Sequence, residues 1–486
     1  MKKSILFGCV AACAFGMTVS VSAAPVVPTA DEVKTAFTSY LTTGTQVGSL
    51  FDAKQITVKA VGEDFDVNLP AVQSDKLTLP ARTIRLTRAG EFNNQAQYKI
   101  ESAFDMLKDI VTGLLPVASF TTESTNMETI WVPAYNLTSK NSSNIKGLKL
   151  STSGSDVFPV AGAFSIGEVV SDVLIRPVSA SKIDVSSSTD MKDIQITADS
   201  VVVEIPSVSQ ETLTSDADIS ADPILRMITS SRDELKYNIP RIYVKMVGAA
   251  EPMGSLSMAG SAFFKETTFH YETKIDQISA PVLSAFVPAA LMPTEVSLDM
   301  DLLDINRDIL PELFKRGQDG SYSDEDVPLL KQAAEKGTIR LNRLEVKNDL
   351  AGMALNATIQ LKLEKPEEVK KIDDFESHME PVVKATLTIT NLDKISPEPE
   401  VNQAQCDRAK AQVAAVDMSA EDATTQKEVA EQFQAQACMP HGGPLDELRP
   451  FIDPAKRVTA ADGTTTDVIN LEYDNNTLTV NGNILK

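Results

Sequence analysis

Apolar and polar residues alternate with a period of two over long stretches of this chain. Met353, Leu355, Ala357, Ile359, Leu361 and Leu363 fall on one side of a segment, and Ala354, Asn356, Thr358, Gln360, Lys362 and Glu364 on the other. Upstream, Val296, Leu298, Met300 and Leu302 oppose Ser297, Asp299 and Asp301. Successive side chains of a strand point to opposite faces, so both segments predict strands with one dry and one wet side. Strands are also predicted over 55–61, 64–70, 76–88, 95–102, 128–138, 145–153, 167–206 (broken by turns), 234–247, 254–279 and 382–392, with the two segments above inside 294–302 and 337–364. Thr, Val, Ile and Ser dominate them, which suits a pleated surface. A doubly wound parallel sheet would need both sides apolar. The expected fold is therefore mainly β (α+β): a large, curved antiparallel sheet covered by a few helices.

Helical spacing marks the exceptions. Val33, Phe37, Tyr40 and Leu41 share one face of a helix over 30–43, which Thr29 and Glu32 open as a capping box. Apolar segments 103–116, 280–292 and 304–315 can cover the dry side of the sheet, although Pro281, Pro288 and Pro293 make 280–292 irregular. Residues 396–445 differ in kind. Helices over 403–416 and 426–437 form a hairpin inserted near the C-terminus, with Val413, Val416, Val429 and Phe433 as its thin apolar contribution. Cys406 and Cys438 lie nearly level on its two arms at 1.5 Å per residue. A disulfide between them would stabilise by roughly 3–4 kcal/mol in the chain-entropy model. The chain closes with a β-hairpin that turns at Asp474-Asn475-Asn476.

The N-terminus sets the compartment. Lys2 and Lys3 precede an apolar run over 5–21, and Val21-Ser22-Ala23 has the small-x-small form that signal peptidase reads. A cleaved leader over 1–23 places the rest in the periplasm, where the Cys406–Cys438 pair oxidises. Two other readings of this segment stand beside it: a lipoprotein box ending at Cys13, and an uncleaved inner-membrane anchor. The remaining layout is a β-rich domain over 24–395, the hairpin insertion over 396–445, and a C-terminal β-hairpin over 446–486 that completes the sheet. Loss of the leader takes the net charge from −22 to −24, which argues against nucleic acid as a partner. Aromatics make up 6% of the chain and Trp131 is its only tryptophan, which is poor material for a base- or sugar-stacking surface.

The segments TIRLNRLEVKN (338–348), GMALNATIQLKL (352–363), VKATLTITN (383–391) and DVINLEYDNNTLTVNGNIL (467–485), with Asn481-Gly482 near the end, resemble the C-terminal part of the YdgA-like family of Gram-negative envelope proteins. The likeness covers about 150 residues directly. The cysteine pair departs from the family pattern, and so does the cleavable leader, since family members usually keep an N-terminal anchor. The resemblance implies a periplasmic, mostly β protein of unsettled role, and it offers no catalytic residues to transfer.

Reaction chemistry finds little support in the sequence. No G-x-S-x-G occurs. His270, His378 and His441 are far apart and read as strand or surface residues, and His441 alone does not make a metal site of the cysteine pair. Asp319-Gly320 with Ser323 and Asp326 resembles half of a calcium loop, but Lys315 and Gly317 stand where ligands belong, so the segment reads as a turn and a helix cap. Asp299, Asp301, Asp304 and Asp308 read as a solvated face. No catalytic, metal or cofactor-binding residues are assigned and no cofactor is expected. The expected function is non-catalytic: a periplasmic protein whose sheet holds an acyl chain or an envelope partner. The alternative is a self-covered scaffold, and a hydrolase built on the histidines is the remote third class.

Overall fold

The computed structural model describes residues 27–44, 54–74, 77–101, 103–105, 117–152, 162–219, 230–283, 291–317, 322–334, 337–396, 403–415, 431–435 and 445–485, with isolated positions between them. Residues 1–23, expected as a leader, most of 103–116, much of 280–292 and His441 lie outside the described residues. The fold is mainly β: 21 strands belong to one large, open antiparallel sheet, accompanied by few helices. A two-stranded hairpin, Val72–Ser74 with Leu77–Leu79, makes a second sheet. The chain divides into two compact units. The first comprises Met1–Val282, Leu298–Ile339 and Leu361–Met379, and the second Leu283–Ser297, Arg340–Gln360 and Glu380–Lys486.

The first unit opens with the helix Ala30–Gly44. Its capping box forms as expected: the Thr29 N–H donates to Glu32 Oε2 at 2.7 Å, and the Glu32 N–H donates to Thr29 Oγ1 at 3.3 Å. Val33, Phe37, Tyr40 and Leu41 are all buried. Phe37 meets Trp131 edge-on, with ring centroids 5.5 Å apart. The Trp131 Nε1–H donates to Asn136 Oδ1 at 3.2 Å, and the Asn136 amide donates onward to Ser39 Oγ at 3.0 Å. Asn136 follows a short 3₁₀ turn, Pro133–Tyr135, in a left-handed conformation. That turn splits the expected strand 128–138 into Ser124–Val132 and Leu137–Thr152, because Pro133 interrupts the ladder.

From Leu137 onward the unit is a meander of long strands: Leu137–Thr152, Gly162–Pro177, Lys182–Ala198, Val201–Asp218, Arg232–Met246, Gly254–Lys265 and Thr268–Ser279. Each pairs antiparallel with the next. Ser323 and Asp326 form the expected cap rather than a calcium loop. The Ser323 N–H donates to Asp326 Oδ2 at 2.7 Å, at the head of the 3₁₀ turn Asp324–Asp326 and the helix Val327–Ala334.

In the second unit Ile389, Leu392, Ile395, Ile469 and Val480 form a core of their own. Strands Thr465–Asp474 and Thr477–Val480 are joined at Asn475 and Asn476, both at positive φ, the two-residue turn whose twist matches a hairpin. Asp467 is buried beside this core and is held by both arms of Arg457, at 2.7 and 2.9 Å. The disulfide Cys406–Cys438 is present, with Cα atoms 4.6 Å apart. Cys406 and Ala409 on the helix Gln403–Ala414 are buried. Val429 and Phe433 of the second arm are not: they are 60% and 50% exposed. Their expected apolar contribution is overturned: of the described side chains over 427–435, only Gln434 is not exposed.

Candidate functional site

Residues opposed across a ladder share a face of the sheet. Four rows of the first unit follow from the pairings. The first runs Ile175, Val185, Thr214, Asp233, Phe264, Phe269. The second runs Val173, Ser187, Thr212, Leu235, Ala262, Tyr271. The third runs Ser171, Thr189, Gln210, Tyr237, Gly260, Thr273. The fourth holds Val169, Met191 and Val208, and then Ile239, Met258 and Ile275.

Burial decays along the second and fourth rows, while Phe264 keeps the far part of the first row buried. Val169, Val173, Ile175 and Val185 are 2–6% exposed and belong to packed clusters. Leu235, Ile239, Met258, Phe269, Tyr271 and Ile275 are only half-buried. The polar members of the rows largely satisfy one another. Ser171 pairs with Thr189 at 3.0 Å, Ser187 with Thr212 at 2.6 Å, and Tyr237 with Thr273 at 2.7 Å. The Tyr237 phenol end packs against Gly260, where a Cβ would meet its Oη at 2.5 Å and the Glu272 carbonyl oxygen at 2.5 Å. Glycine is therefore required there. Burial pushes the Tyr237 phenol up. The first row ends in a charged plug. The Arg307 guanidinium sits 4.4 Å above the Phe264 ring and donates to the Ser230 carbonyl, while Asp233 accepts from Thr214. Burial pushes the Asp233 carboxyl up and pulls Arg307 down. This face therefore offers half-covered apolar side chains between hydroxyls that are bonded to each other.

The opposite face is polar. One of its rows runs Leu174, Ser186, Leu213, Glu234, Phe263, His270, and its neighbour runs Asp172, Ser188, Glu211, Lys236, Ser261, Glu272. A depression of about 410 Å³ lies over Leu174, Ser186, Leu213, Glu211 and Lys236. His270 Nδ1 is 2.7 Å from Asp301 Oδ1 and 3.8 Å from Asp299 Oδ1. Asp301 is only 15% exposed, so the expectation of a solvated face is corrected for it: it is partly buried against His270, whereas Asp299 is 39% exposed. His378 sits elsewhere, at the end of the helix Ile372–His378, with Nδ1 2.8 Å from the Asp374 carbonyl oxygen.

In the second unit a shallow polar shelf of about 520 Å³ is lined by Arg340, Asn342, Asn356, Thr358, Lys384 and Thr386, among others. Neither the His270 group nor the buried Arg457–Asp467 pair was found from the sequence. The one available signal was that His270, Asp299 and Asp301 sit on strands of matching alternation. Among the described residues no helix is long and apolar enough to cross a membrane. No family model matches this chain, and neither a curated protein nor a solved structure does.

Proposed function

We propose that this chain is an exported envelope protein of the YdgA-like kind, non-catalytic, and that its half-covered apolar sheet face seats the acyl chain of a lipid. The observation that supports the reading most is the decay of burial along the second and fourth rows, from packed Val173 and Val169 to half-buried Leu235, Ile239 and Ile275. An acyl chain is the occupant this chemistry favours. It asks for apolar contact and no hydrogen bonds, and the face supplies Ile, Leu, Met and Phe beside hydroxyls already bonded to one another. Met258 and Met191 add side chains that adapt to an irregular ligand. The leader at residues 1–23 delivers the protein to a compartment rich in such ligands.

Titration of the purified chain with a fluorescent long-chain fatty acid tests the reading. Saturable binding that is lost in Leu235→Asp and Ile275→Asp, with far-UV circular dichroism unchanged, is expected. Absence of binding, or binding that both variants keep, contradicts it and leaves the self-covered scaffold.

A further inference from the structure

On the polar face of the same strands, we propose that His270, Asp299 and Asp301 form a binding site for a divalent transition-metal ion, with zinc as its best representative. One potential ligand atom from each residue lies within 4.8 Å of the others. Bonds to zinc of about 2.0–2.2 Å set neighbouring donors roughly 3–3.5 Å apart, so small side-chain rotations close the set. The imidazole nitrogen selects zinc or a neighbour in the first transition row, whereas calcium and magnesium prefer oxygen alone.

Two further features favour a cation over a bare ion pair. The His270 ring is held in place: it stacks on Phe263 with centroids 4.7 Å apart and planes 27° apart. Its other nitrogen, Nε2, faces Glu272 Oε2 at 4.0 Å, on the side from which metal-bound histidines are oriented by a carboxylate. Asp299 is 39% exposed against 16% for His270, which leaves a side open for ion entry and for water to complete the coordination. Three protein ligands with an open position resemble an exchangeable site more than a closed structural one. The site shares no residue with the apolar face and stands independently of acyl binding.

Calorimetric titration of the chelator-stripped full chain with zinc chloride, followed in parallel by the ring signals of its three histidines, tests the site. One equivalent of zinc should bind and shift the His270 ring signals first. Both His270→Gln and Asp301→Asn should weaken binding by about 100-fold or more, and Glu272→Gln by about 10-fold, the range for losing an orienting partner. Unchanged affinity in His270→Gln and Asp301→Asn, or no response of the His270 ring at one equivalent, overturns the proposal. Should either variant fail to fold, the wild-type ring signals decide alone.

Discussion

Arg457 grips Asp467 with both arms and also reaches Asp393 at 3.1 Å, while Arg449 holds the other Asp393 oxygen at 3.0 Å. Asp467 is 1% exposed, so its charge depends on that grip. Removing one partner of a buried pair leaves the other uncompensated. Arg457→Leu should therefore lower the stability of the second unit by about 3 kcal/mol in denaturant unfolding. Asp467 escaped sequence analysis because it lies in phase with Ile469 on an alternating strand, where an apolar residue is the norm.

Asp326 is the corresponding case at a helix start. The Ser323 N–H, and then the Arg316 guanidinium, hold its carboxyl below the ordinary carboxylate range. A depressed folded-state value means that the stabilisation is complete above the ordinary value of about 4 and is lost as the pH falls through the depressed one. Amide protection factors over 327–334 should fall on acidification below about pH 4, and Asp326→Asn should show low protection already at neutral pH with a weaker acid dependence. Unaltered protection in that variant would refute the role of the cap.

At the scale of elements, the two-residue alternation translated directly into structure. The predicted strand over 254–279 appears as Gly254–Lys265 and Thr268–Ser279, broken at a turn, and 337–364 as Thr338–Lys347 and Gly352–Leu363. Period two is enforced by the pleat itself and needs no knowledge of partners. The exposed positions Asn356, Thr358, Gln360 and Lys362 came out as expected, but Leu361 is exposed too, since coverage of the dry side is a tertiary property. The insertion shows the limit of helical patterning. Val429 and Phe433 have helical spacing but stand exposed. With so little apolar contact, the Cys406–Cys438 link carries much of the local order. Cys406→Ser with Cys438→Ser should make residues 403–438 susceptible to limited proteolysis while leaving the Trp131 fluorescence of the first unit unchanged. The link's worth is about 3–4 kcal/mol in the chain-entropy model. Equal protease resistance in the two proteins would contradict this.

At the scale of the molecule, the mainly β antiparallel architecture was legible because the dominant pattern was strand-like and one-sided. The candidate sites were not. His270 and Asp301 are 31 residues apart and meet through tertiary pairing that alternation alone does not set. The decay of burial along the rows is equally invisible in sequence, because Val173 and Leu235 are similar side chains whose difference lies in what packs over them. That unevenness of cover is the basis for assigning contact with an acyl chain. The most direct check is mass spectrometry of organic extracts from the chain exported by a Gram-negative host and purified without detergent. The expected result is a lipid bound at close to one per chain and absent from Ile275→Asp. A chain free of lipid, or equal amounts of lipid in both proteins, would contradict the assignment.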